Sequence, residues 1–155
     1  MFIVHKQELE IPYLQVNKEL WKDVHKELGT GAAFSLWLWY SSNADGFKDD
    51  IYPATIIKEL GIGKQTYYNA RDKLITYGYL IPDKNKAYLY HFYEKSPISS
   101  VYIKKIKKDP MKEIELQNEY KQLMQSHKNI EDMTLNEWWL FWRGQFYNWQ
   151  KEWSF

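Results

Sequence analysis

Apolar and polar positions along this chain recur with helical spacing in most segments and give way to short β-prone runs in one. In "NKELWKDVHKELG" Leu20, Trp21, Val24 and Leu28 form one apolar stripe, which predicts an amphipathic helix. Asn17 stands where it can cap the start, and Gly29 suits the left-handed position after the end. "TGAAFSLWLWYSS" follows, with Thr30 as a second cap and apolar side chains nearly all round, so it is expected to be the central buried helix. "NADGF" ends it with turn residues. "PATIIKEL" predicts a third helix, with Pro53 at the first helical position and Ile56, Ile57 and Leu60 pointing inward. After Gly61-Ile62-Gly63 a fourth helix runs from Lys64 to Tyr77, with Tyr67, Ala70 and Leu74 as its core face and Gly78 as its stop.

The helical pattern then lapses. Two β-prone runs, Tyr79 to Ile81 and Ala87 to Tyr93, flank the polar stretch Pro82 to Lys86, which predicts a hairpin. Helical spacing resumes after Asp109-Pro110, where Leu116, Tyr120, Leu123 and His127 line one face. Thr134 and Glu137 have the spacing of a capping box. The helix they open carries Leu135, Trp138, Trp142, Phe146, Trp149 and Trp153. These elements divide the chain into residues 1–95, a basic connector over 96–110 and an aromatic-rich helical region over 111–155. No internal repeat or low-complexity tract interrupts them.

"GIGKQTYYNARDKL" begins like a phosphate-binding loop, but a nucleotide reading fails on its fixed positions. The pattern G-x-x-x-x-G-K-[ST] needs a glycine where Lys58 stands and a magnesium-binding hydroxyl where Gln65 stands. What remains is a glycine-marked turn between two amphipathic helices, the helix-turn-helix unit, and the hairpin after it makes a winged helix.

Composition narrows the class. A chain of 155 residues, 45% hydrophobic and 26% charged, is expected to fold as an ordinary soluble domain, with or without an appendage. The absence of cysteine excludes disulfides and thiolate metal sites and fits a reducing cytoplasm. No run approaches the length of a membrane span, and the N-terminus is unlike a signal peptide. The expected location is cytoplasmic, with no membrane partner. Net charge is only +1, yet residues 51–110 hold 11 basic and 5 acidic side chains. Positive charge is therefore gathered around the glycine turn, as a polyanion partner requires.

The order "LWLWYSSNADGF" followed by "ATIIKELGIGKQTYYNARDKLITYGYLI" resembles the winged helix-turn-helix domains of plasmid and phage replication initiators and related bacterial DNA-binding regulators. Those domains carry a helix ending "L-G-[IV]-S", then "x-x-T-[VY]-x-x-[AL]-x-x-x-L-x-x-x-G-[YL]-[LI]" and a wing. The likeness spans about residues 13–93 and leaves 94–155 uncovered. Gly63 departs from the family's Ser or Thr cap, and Asp72 is unusual on this helix. The implied fold is mainly α, an α+β winged helix-turn-helix with a C-terminal helical extension. The implied function is sequence-specific binding of double-stranded DNA in replication initiation or transcription regulation. A protein-binding winged-helix adaptor or inhibitor that does not bind DNA is the alternative.

In this motif the second helix enters the major groove. Its outer face makes Gln65, Tyr68 and Asn69 the base-reading candidates, since the Gln and Asn amides match adenine and Tyr68 suits a thymine methyl or a phosphate. Thr66, the motif's threonine, joins the DNA-binding set. Lys64, Arg71 and Lys73 are expected on the phosphate backbone, with Lys84 and Lys86 at the wing tip. Asp72 either accepts from a cytosine amine or repels phosphate. "IKKIKK", residues 103–108, reads as a DNA-contacting extension or as a solvated linker.

Trp138, Trp142, Phe146, Trp149 and Trp153 give more aromatic surface than one helix edge hides. They enlarge the core, or they form an interface with a second copy or with a host replication or transcription protein. His5, His25, His91 and His127 lack metal-ligand spacing, and no nucleophile, base and acid arrangement stands out. No metal, cofactor or enzymatic activity is expected.

Overall fold

The first helix, α1 (Lys18–Leu28), begins where the Asn17 side-chain oxygen accepts from the amides of Glu19 and Leu20, at 3.0 and 2.9 Å. A helix start leaves four amides without helical partners, and this cap satisfies two of them. The computed structural model describes residues 1, 3, 5, 16–42, 53–86, 89–106 and 110–146. Val24 and Leu28 are buried on the predicted stripe, Leu20 is half-buried and Trp21 stays at its exposed edge. Gly29 follows at φ 82° and ψ −168°, a conformation that is nearly glycine's alone.

The second helix, α2 (Ala32–Ser41), starts one residue later than expected. Gly31, not Thr30, is the cap, and its carbonyl accepts from the amides of Phe34 and Ser35. Glycine is accepted at a helix cap, whereas a helix interior disfavours it by about 1 kcal/mol relative to alanine. Leu36 and Trp37 are completely buried, as a central helix requires.

Helices α3 (Pro53–Leu60) and α4 (Lys64–Thr76) end in the same way. Gly61 N donates to Lys58 O and Ile62 N to Ile57 O, both at 3.3 Å, with Gly61 at φ 64°. Gly78 N donates to Ile75 O at 3.1 Å and Tyr79 N to Leu74 O at 2.9 Å, with Gly78 at φ 79°. Each is a Schellman ending, in which a positive φ lets two amides reach back to orphan carbonyls. Gly78 is doubly constrained, because a Cβ there would overlap the Ile98 and Ser96 side chains.

The hairpin is shorter than its sequence pattern. Strands β1 (Leu80–Pro82) and β2 (Tyr90–Phe92) pair antiparallel, with Leu80 opposite Phe92, Ile81 opposite His91 and Pro82 opposite Tyr90. Pro82, expected in the loop, instead closes β1; it has no N–H to give a ladder, but its carbonyl accepts from the Trp138 indole at 2.7 Å. Ala87 lies outside the described residues.

Successive strand residues face opposite sides, and β1 is buried on both. Leu80 belongs to a core built from α1, α2, α3 and α4, including Val24, Trp37, Ile56 and Leu74. Ile81 belongs to a second core built from α5 (Ser100–Ile106), α6 (Pro110–Gln125) and α7 (Leu135–Phe146). Tyr77 and Trp142 pack against both. The expected connector over 96–110 therefore contains a helix, held by burial of Ile103.

Leu116, Tyr120 and Leu123 are buried along α6 as predicted, but His127 is not on that face. The helix ends at Gln125, and His127 sits exposed beyond it at φ 52°. The Asp109 cap lies outside the described residues. The Thr134 and Glu137 capping box forms in full: Glu137 Oε1 accepts from Thr134 N at 3.1 Å and Thr134 Oγ1 from Glu137 N at 3.2 Å. Trp138 is 6% exposed, so it lies in the intrachain core and not on an open interface. Trp142 is half-buried between the two cores; Trp149, Trp153 and the Phe146 side chain lie outside what is described. Arg143 is 3% exposed, with Nη2 3.0 Å from Glu113 Oε1 and its guanidinium carbon 5.5 Å from the Trp139 ring centroid. The described chain is mainly helical with one small antiparallel sheet.

Candidate nucleic-acid interface

The outer face of α4 is defined by what its inner face buries. Tyr67, Ala70, Leu74 and Ile75 are packed inward, and α2 and α4 form the most extensive helix pairing among the described elements. Lys64, Gln65, Thr66 and Asn69 are left exposed along the first turn and a half. Gly63 has no side chain with which to cap that helix start. Gln65 Nε2 donates to Asn69 Oδ1 at 2.9 Å, an i,i+4 bond on the exposed face. It uses one amide hydrogen of Gln65, leaving that residue a second N–H and its carbonyl, and leaving Asn69 its whole NH2 group. Two amides that already restrain each other lose less freedom on meeting a third group.

Tyr68 and Arg71 form one edge of this face. The Arg71 guanidinium carbon sits 4.8 Å from the Tyr68 ring centroid, and Tyr68 meets Tyr67 edge-on at 5.1 Å. Arg71 Nη2 is also 3.6 Å from Asp72 Oδ1. Asp72 therefore places its charge against the neighbouring guanidinium rather than alone on the exposed face. Behind them, burial pushes the Tyr67 phenol up, and burial reinforced by Tyr67 pushes Tyr40 up, so both stay neutral at physiological pH.

Two expected phosphate contacts are turned elsewhere. Lys73 Nζ donates to Leu28 O at 2.6 Å, where it satisfies a carbonyl at the α1 C-terminus. Lys84 Nζ donates to Met133 O at 2.6 Å, which ties the loop between the strands to the turn before α7. Lys86 remains exposed. Its amide and that of Asn85 donate to Asp83 Oδ2 at 3.0 and 2.9 Å, while His91 Nε2 bonds Asp83 Oδ1 at 2.8 Å. The His91 bond first, and the Asn85 amide next, lower the Asp83 carboxyl from 3.8 to about 2.

The structure thus gathers Lys64, Gln65, Thr66 and Asn69 on one face, with Tyr68 and Arg71 along its edge and Lys86 on the hairpin loop. Within "IKKIKK", Lys105 faces inward to α6, with Nζ 2.9 Å from Glu119 Oε1 and 3.6 Å from Glu115 Oε2. The Glu119 bond raises the Lys105 pKa. Lys104 is exposed, and Lys107 and Lys108 lie outside the described residues.

Sequence reasoning missed Trp139, which is 2% exposed and donates from Nε1 to Ile75 O at 3.1 Å. Its signal was present: adjacent tryptophans project about 100° apart on a helix, so two partners were needed to cover them. Among the described residues no group of three or more His, Cys, Asp or Glu could hold a metal ion, and no helix is long and apolar enough to cross a membrane. Comparison of the chain with protein-family models, with curated proteins and with solved structures finds no match.

Proposed function

We propose that α1 to α4 with the hairpin form a winged helix-turn-helix unit, and that the chain binds a specific site in double-stranded DNA. The observation that carries this reading is the exposed, mutually bonded pair Gln65 and Asn69 on the outer face of α4. Amide side chains offer an adjacent donor and acceptor, which match the N6 and N7 edge of adenine in the major groove. Lys64 and the uncapped helix start supply a phosphate contact beside them. The glycine turn that joins α3 to α4 and the excess of basic side chains in residues 51–110 support the same reading. In its biological setting the protein acts as a replication-initiation or transcription-regulating factor of a plasmid or phage, from its sequence resemblance to that group.

Selection of bound sequences from random duplexes tests this directly. Enrichment of a motif containing adenines is expected, together with affinity that falls steeply as salt rises, by release of counterions. No enrichment at low salt would sink it. A second reading, a protein-binding adaptor or inhibitor, is favoured by one observation: Lys73 and Lys84 are spent on backbone carbonyls. That reading requires a partner whose affinity tolerates salt.

A further inference from the structure

We infer that Lys84 is a positioning residue for DNA binding, which acts through Lys86 by bracing the hairpin loop against the C-terminal helices. The inference rests on the duplex-binding reading above. Each residue that enters the loop is held by a different group. Pro82 O accepts from Trp138 Nε1 at 2.7 Å, a buried bond. Asp83 accepts from the amides of Asn85 and Lys86 and pairs with His91. Lys84 reaches Met133 O at 2.6 Å, 49 positions away in sequence.

An ammonium on a solvated loop has no need of a backbone carbonyl, and holding its long stem in one conformation costs side-chain entropy. What the contact gains is a fixed distance between the loop and the turn that leads into α7. The same α7 holds the last turn of α4 through Trp139 Nε1 and Ile75 O, at 3.1 Å. The loop and the proposed recognition helix are therefore referred to one common element. Lys86 is exposed two positions beyond the brace, with its backbone fixed by Asp83, and so stands at a set offset from α4. A phosphate contact made at a fixed offset avoids ordering the loop at the moment of binding.

The test is a double-mutant cycle in the full chain with Lys84→Met, Lys86→Ala and the pair, titrated on a labelled random-sequence duplex of about 25 base pairs across a salt series. Lys86→Ala should weaken binding about threefold to tenfold and reduce the salt slope by about one. Lys84→Met should do the same, and the double variant should be no weaker than either single. Amides of Asn85 and Lys86 should exchange faster in Lys84→Met while those of α4 and α7 keep their protection. Additive losses, with the slope reduced by about two, would mean that Lys84 touches phosphate itself and would overturn the inference while leaving DNA binding standing. Unchanged affinity in Lys84→Met would overturn it equally. A wild-type chain that does not bind duplex at low salt removes both the reading and this role.

Discussion

The Trp138 indole donates to the Pro82 carbonyl at 2.7 Å, a buried bond between residues 56 positions apart. It joins the last residue of β1 to the first turns of α7, and the neighbouring Trp139 joins the same helix to the end of α4. Through these bonds the C-terminal helices cover the outer side of β1, give the Pro82 carbonyl a donor, and give the Ile75 carbonyl, which already accepts from Gly78 N, a further one.

Replacing Trp138 by Phe keeps an aromatic ring in place but removes the donor, which leaves the Pro82 carbonyl buried without it. An unsatisfied buried acceptor costs about 1–3 kcal/mol. Urea unfolding should register a loss of that size.

Gly144 lies within α7 where a Cβ would overlap the Tyr120 ring. Alanine is favoured over glycine in a helix by about 1 kcal/mol, yet overpacking here costs about 1–3 kcal/mol. Gly144→Ala is therefore expected to lower the melting temperature. The losses from Gly144→Ala and Tyr120→Leu should be less than additive, because the two sites share one contact.

Asp83 gives the hairpin loop a defined response to acid. Its folded pKa of about 2 lies below the ordinary 3.8, so its contribution is fully present above the ordinary value. That contribution disappears as pH falls through the folded value. Amide shifts and exchange rates of Asn85 and Lys86 should therefore change as pH falls from about 4 to 2. Asp83→Asn should remove that pH dependence.

Asn69→Ala is expected to cost about 1–3 kcal/mol on the selected site and little on a scrambled duplex. Because Gln65 is bonded to Asn69, the Gln65→Ala and Asn69→Ala losses should be less than additive. Fluorescence anisotropy on the two duplexes measures both effects. Equal losses on both would remove these amides from the base-reading role.

By itself the sequence determined the local elements, because their causes lie within a few residues of each other. Asn17 reaches amides two and three positions on, Thr134 and Glu137 bond reciprocally, and Gly61 and Gly78 permit the positive φ that ends two helices. The spacing of Tyr67, Ala70 and Leu74 likewise marked the buried side of α4, and so its exposed side. Only tertiary structure decided where long side chains finish. Lys73 finds a carbonyl 45 positions away and Lys84 one 49 positions away, and no local pattern distinguishes either from a lysine that faces solvent. Composition left the aromatic excess open between core and interface; the fold buries Trp138 and Trp139 because β1 needs cover on its second face, where Ile81 points. Short-range hydrogen bonds and periodicity are encoded in neighbouring residues, whereas the partner of a far-reaching side chain exists only after the chain has packed.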